Sequence, residues 1–227
     1  KTADPYVDSE AQKLESGITM NLATPAASAA AITLDDNKVT FTDLSTTATG
    51  VDTYKVEVFD EDDEKLANND GVAVASADQA IALSVVSGKD LADASYINIT
   101  AVPADDSETY SESAAQKLSS GITIKLAKPA ATAAAVDATE GSENVTITGL
   151  SKDTTGVKGY TVELYDEDDT KLAASTAEVT AANADQAIAL TLEEDADLAD
   201  TAYIEIVAVK TADPYVDSEA QKLESGI

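Results

Sequence analysis

The chain repeats itself, and the repeat length limits what it can fold into. Lys1–Ile18, KTADPYVDSEAQKLESGI, recurs unchanged as Lys210–Ile227, an offset of 209 residues. An imperfect repeat of about half that period lies inside. SEAQKLESGITMNLATPAASAAA from Ser9 matches SAAQKLSSGITIKLAKPAATAAA from Ser113, 104 residues on. GVDTYKVEVFDEDDEKLA from Gly50 matches GVKGYTVELYDEDDTKLA from Gly156, and DLADASYINITAV from Asp90 matches DLADTAYIEIVAV from Asp197, at offsets of 106 and 107. Self-similarity at a fixed period marks an array. A unit of about 105 residues is the size of a sandwich domain, too long for a solenoid repeat. The boundaries fall at residues 1–22, the last strand of a preceding repeat, then 23–127 and 128–227 as two complete repeats. The two complete repeats differ while residues 209 apart are identical, which reads as one period of a longer polymer of two-domain blocks.

Within each repeat the apolar residues alternate, as in half-buried strands. The second repeat predicts strands over Asn144–Thr148, Gly159–Tyr165, Lys171–Ala174, Gln186–Leu192, Ala202–Val209 and Ser218–Ile227. The first predicts Lys38–Thr42, Tyr54–Phe59, Gln79–Val85, Ser95–Val102 and one long strand over Ser111–Leu126. Ala26–Ala31 and Ala130–Ala135 favour helix by propensity. Each follows a proline at a repeat junction, so they are assigned to first strands. Aromatics are 4% of the chain and Trp is absent, so the cores must be built from Val, Ile, Leu and Ala.

GVKGYTVELYDEDD resembles the third strand of a fibronectin type III domain, and DLADTAYIEIVAV resembles that family's sixth strand. Tyr96 and Tyr203 match the tyrosine that opens it, Leu91 and Leu198 its preceding leucine, and Pro25 and Pro129 the junction proline. The resemblance covers both complete repeats. It implies an all-β chain of two tandem seven-stranded immunoglobulin-like, fibronectin type III-like β-sandwiches plus the terminal strand segment. The family's second-strand Trp is missing, and Leu44 and Leu150 stand near its place. A related immunoglobulin-like repeat of a bacterial surface protein is the alternative.

Charge and composition exclude several functions. The chain carries 43 acidic residues against 14 lysines and no arginine, a net charge of −29. Such a surface repels nucleic acid and anionic membranes. With no Cys and no His, disulfides, thiolate catalysis and imidazole chemistry are all absent. No stretch reaches the length of an apolar membrane span. The chain is therefore read as no enzyme, with no catalytic residues, no cofactor and no membrane insertion.

Calcium is the one metal the sequence suggests. The candidates are Asp60, Asp62 and Asp63, and at the matching positions Asp166, Asp168 and Asp169. Calcium takes six to eight oxygens, and neither acidic run has EF-hand spacing. Solvated hairpin turns that also blunt edge pairing are preferred. The sequons at Asn98 and Asn144 fall inside predicted strands and read as chance matches.

The expected function is structural. Repeats joined by short linkers (Leu22–Pro25 and Leu126–Pro129) form a stalk or the shaft of an extracellular surface filament. The expected partners are adjacent repeats of the same chain or neighbouring filament subunits. In one version Lys1–Leu22 completes a sandwich in a neighbouring molecule, by donor-strand complementation. The alternative function is an adhesin, or a spacer or binding module of a secreted multidomain protein, calcium-stiffened, with loops such as Ala104–Glu112 meeting a partner.

Overall fold

Alternation such as TYKVEVF and KVTFT sends every second side chain to one face, and the buried set follows it. Tyr54, Val56 and Val58 lie inside on one strand, Val39 and Phe41 on another. The computed structural model describes residues 19–45, 48–73, 76, 78–139, 143–150, 154–180 and 185–224. β1 (Met20–Asn21) lies in the segment before the first complete repeat, which carries β2 (Ala29–Thr33), β3 (Lys38–Thr42), β4 (Thr53–Phe59), β5 (Lys65–Val72), β6 (Ala80–Ala82), β7 (Ser84–Val85), β8 (Tyr96–Val102), β9 (Tyr110–Ser111), β10 (Gln116–Leu118) and β11 (Ile122–Lys125). The second carries β12 (Ala133–Asp137), β13 (Asn144–Thr148), β14 (Val157–Tyr165), β15 (Lys171–Ser175), β16 (Asp185–Leu192), β17 (Tyr203–Lys210), β18 (Tyr215–Val216) and β19 (Gln221–Leu223). Among the described residues the only helical pieces are two 3-10 turns, Leu91–Asp93 and Leu198–Asp200, each capped by the preceding aspartate.

In the first repeat the sheet β10-β8-β4-β5-β7 faces the sheet that holds β11, β2, β3 and β6 in that order. Ile32, Val39 and Phe41 from one layer meet Val56, Val58, Ile97 and Ile99 from the other in a single core. Burying each such side chain contributes about 1.5–3 kcal/mol. The second repeat builds a separate core from Val145, Ile147, Tyr160, Val162, Leu164, Ile188, Ile204 and Ile206. Its strands are ordered β12-β13-β16-β15-β14-β17-β19, because β16 pairs with β13 through Asp185–Ala189 and with β15 through Leu190–Leu192. The first repeat interrupts the same strand at Leu83, so β6 pairs β3 and β7 pairs β5. Leu44 and Leu150 are both buried, and Tyr96 and Tyr203 open β8 and β17.

Three expectations need correction. The first strands begin at Ala29 and Ala133, three residues later than the alanine runs suggest. A side-chain amide occupies the ladder position before them. Gln116 accepts from Ala27 N (2.9 Å) and donates to Ala27 O (2.7 Å), and Gln221 does the same to Ala131. The long strand Ser111–Leu126 is broken into β9, β10 and β11. Ser113 causes the first break, its buried hydroxyl accepting from Ala101 N and donating to Ala114 O. Gly121 causes the second, at φ +71, where a Cβ would lie 3.2 Å from Ser28 O. Beyond that kink the chain leaves β8 and pairs parallel with β2 in the opposite layer. In the second repeat β19 covers only Gln221–Leu223 of the expected Ser218–Ile227, and residues 225–227 lie outside those described. The first repeat also has a strand that the pattern did not predict, β5, in the polar run KLANNDGV.

Candidate functional site

β11 has two neighbours from two different repeats. On one edge it pairs parallel with β2, Ile122 to Lys125 against Ala30 to Thr33. On the other it pairs parallel with β18, Ile124 opposite Tyr215 and Lys125 opposite Val216. Ile124 N donates to Pro214 O (2.9 Å) and Leu126 N to Val216 O (3.0 Å). The side chains divide in the same way. Ile124 is fully buried in the first core and Leu126 in the second, two residues further along the same face. The first repeat's sheet thus takes a two-residue strand of the second repeat at its edge, and the residue that follows β11 enters the second core.

Tyr215 fills the angle between the repeats and packs against both cores. Its ring lies on Gly156, whose φ is +81 and where an added Cβ would come within 2.5 Å of the ring. Its hydroxyl reaches back 3.1 Å to Ala92 O, in the 3-10 turn of the first repeat. Burial, with Asp93 and Asp90 nearby, holds its pKa above the ordinary phenol value. Polar contacts rim the junction. Glu219 takes Lys125 Nζ at 2.6 Å and Lys128 Nζ at 3.3 Å, and these two ammonium groups hold its carboxyl below the ordinary range. Lys128 N donates to Asp35 Oδ1 (2.8 Å). These exposed ion pairs contribute little individually; they fix direction.

The same arrangement recurs 104–105 residues earlier. β1 pairs parallel with β9, Met20 opposite Tyr110 and Asn21 opposite Ser111. Met20 N donates to Thr109 O and Leu22 N to Ser111 O. Tyr110 lies on Gly50, at φ +82, and Leu22 enters the first core as Leu126 enters the second. The loop Ala104–Glu112 therefore meets a strand of the repeat boundary. Strand alternation by itself gives Tyr110 and Tyr215 no role beyond core or loop packing. The usable signal was their recurrence with Gly50 and Gly156.

The calcium candidates sit in two matching hairpin turns. Asp60 Oδ1 accepts from Asp62 N (3.0 Å) and Glu64 N (2.8 Å); Asp166 Oδ1 accepts from Asp168 N (2.9 Å) and Thr170 N (2.8 Å). Asp63 and Asp169 adopt positive φ and accept from Tyr96 Oη (2.7 Å) and Tyr203 Oη (2.8 Å). Asp62 and Asp168 are exposed. Among the described residues no three carboxylates converge as a metal-binding group. Asp166→Ala should cost about 1 kcal/mol, the worth of the backbone bonds it anchors, read by urea denaturation. A larger loss on adding EDTA to the unaltered chain would assign these carboxylates to calcium instead.

Each of those tyrosines is clamped on its other sides. Tyr96 stacks on Phe59 at 4.9 Å under Lys117 Nζ, and Tyr203 stacks on Tyr165 at 5.0 Å under Lys222 Nζ. The hydrogen bond to Asp63 or Asp169, then burial, pushes both hydroxyls up to about 12. An unfolded phenol titrates near 10. Folding therefore favours the protonated form. Its contribution is complete below pH ~10 and is lost as pH rises through about 12. The melting temperature should fall across that window. The fall should be shallower in a Tyr96→Phe, Tyr203→Phe double variant, as followed by circular dichroism.

No protein-family model and no curated protein matches the sequence. Similar solved structures include a biofilm associated protein BSP domain, 16% identical at a TM-score of 0.26, over 90% of this chain and 30% of that one. They also include the chicken CNTN1 FN1-FN3 domains, 12% identical at a TM-score of 0.36, over 91% of this chain and 65% of that one. The chain thus spans less than two thirds of either neighbour. Its class rests on its own strand order: an all-β chain of several sheets, in which a two-residue strand of one repeat pairs onto the sheet of the repeat before it. Among the described residues no helix is long and apolar enough to cross a membrane.

Proposed function

We propose that this chain is a structural segment of an extracellular stalk or surface filament, whose repeats add length and stiffness without chemistry of their own. The observation that carries this reading is β11, seated between β2 of one repeat and β18 of the next. A flexible linker would leave the repeats free to swing, whereas a strand of one repeat paired onto the sheet of the other restrains their relative orientation. The net charge of −29 supports it by keeping neighbouring molecules hydrated and apart.

The chain has no cysteine, so a labelled pair is unambiguous. Ser84→Cys and Thr191→Cys place spin labels at exposed, matching positions in the two repeats. A single narrow distance distribution by pulsed electron resonance is expected. A broad one would defeat the stiff-rod reading.

A further inference from the structure

The first repeat carries a reactive peptide unit that its sheet leaves open. Asp70–Gly71 is the only Asp-Gly pair in the sequence. It lies in β5, and both residues are exposed. The β4–β5 ladder steps from Val56 opposite Asn69 to Tyr54 opposite Val72, so Lys55 alone faces Asp70 and Gly71. Two residues against one make a β-bulge, where the ladder is locally disrupted. On the other side of β5, β7 pairs with Ala67 and Asn68 and reaches no further. The Gly71 N–H donates to Asn69 Oδ1 (3.1 Å) on its own strand, and the Asp70 carboxyl accepts from Asn68 Nδ2 (2.7 Å). Neither conformation nor space demands a glycine here. Gly71 does not occupy the left-handed region, and an added Cβ would meet nothing nearer than Thr53 Oγ1 at 3.5 Å, an ordinary contact. In the second repeat, counted from the common Lys-Leu-Ala, the same places hold Thr176 and Ala177.

We infer that Asp70–Gly71 is a site of spontaneous isoaspartate formation in the folded chain, a covalent modification confined to the first repeat. The Gly71 nitrogen attacks Cγ of the Asp70 carboxylic acid. An N–Cγ bond forms, the Cγ–OH bond breaks, and the hydroxyl leaves as water with the amide proton. The product is a five-membered succinimide, which water then opens. Attack at Cγ restores aspartate. Attack at the former peptide carbonyl leaves the chain running through Cβ and Cγ, and that carbonyl carbon becomes a free carboxylate. Charge and final mass are unchanged, and water is the only co-reactant. Glycine suits the step because it has no side chain to shield its nitrogen. The Asn68 amide draws electron density from Cγ, which favours attack. Within a regular ladder the attacking amide would have to leave a cross-strand pairing; here it gives up one bond to its neighbour Asn69. The isoaspartyl unit adds one atom to the backbone. A bulge already takes up surplus backbone, so Asn69 and Val72 keep their partners on β4.

The test is ageing of the whole 227-residue chain at neutral pH and physiological temperature, beside a second sample held in urea. Isoaspartyl carboxyls are counted by enzymatic methylation with a protein isoaspartate methyltransferase and a labelled methyl donor. They are placed in the chain by peptide mapping with electron-transfer fragmentation. The peptide carrying Asp70 should gain label steadily and ahead of every other aspartate, at a rate within several-fold of that in urea. Gly71→Ala should lose that label while its melting curve stays unchanged, since the added Cβ has room. The aged chain should keep its circular dichroism spectrum. Label that forms only in urea would show that the folded strand protects the pair, and overturns the inference. Label spread evenly over the aspartates, or undiminished in Gly71→Ala, overturns it as well. Asp70 and Gly71 lie away from the junction between repeats, so neither result bears on the proposed function.

Discussion

Replacing Tyr215 with alanine is expected to uncouple the two repeats while leaving both folded. The ring is half-buried, bears on both cores and ends in a hydrogen bond to Ala92 O. Losing its packing and leaving Ala92 O to water should cost about 2–3 kcal/mol at the junction. What remains there is a two-residue ladder between β11 and β18, the buried Leu126, the Lys128 N–Asp35 hydrogen bond and exposed ion pairs. The Ser84–Thr191 label distance should broaden while the circular dichroism spectrum is unchanged. Tyr215→Phe keeps the ring and should keep the narrow distance. Gly156→Ala attacks the same contact from below. It places a Cβ 2.5 Å from the ring at a φ of +81, a conformation costing an ordinary residue about 1–2 kcal/mol. An unaltered distance in both Tyr215→Ala and Gly156→Ala would show that the junction is held elsewhere.

Phe41→Ala should unfold the first repeat most readily, at about 3–5 kcal/mol. The side chain is 1% exposed in β3, opposite Ala30, and the two cores are separate enough that its loss is not shared equally. The second repeat should nonetheless weaken, because an unfolded first repeat no longer holds β11 beside β18. Urea denaturation followed by hydrogen exchange should show two transitions, the first shifted strongly and the second slightly. A second transition identical to that of the unaltered chain would mean that the pairing of β11 with β18 carries no coupling between repeats.

The fold was legible wherever alternation met burial on a single face. Thr53–Phe59 and Asn144–Thr148 are such cases, since each odd or even set points into one core. Alanine runs were less informative, because Ala carries little contrast between faces. The three-residue shift to Ala29 and Ala133 depends on a distant glutamine. The break at Ser113 depends on one hydroxyl turning inward to a strand it also pairs with. The junction was the least legible part. Tyr215 and Val216 make a two-residue strand, too short for any periodicity, and its partner lies about 90 residues earlier. The acidic turns read correctly as turns, while the tyrosine clasp on Asp63 and Asp169 follows from tertiary contact alone.

The parallel pairing of β2 with β11 has a mechanical consequence. A repeat is entered through β2 and left through β11, and the two lie side by side pointing the same way. Tension along the array therefore drags them in opposite directions along their length. Their hydrogen bonds are loaded together in shear, where an antiparallel hairpin pulled at its open end would peel one bond at a time. The strand that takes this load also pairs with β18 of the following repeat, so the junction is bound along the loaded strand itself.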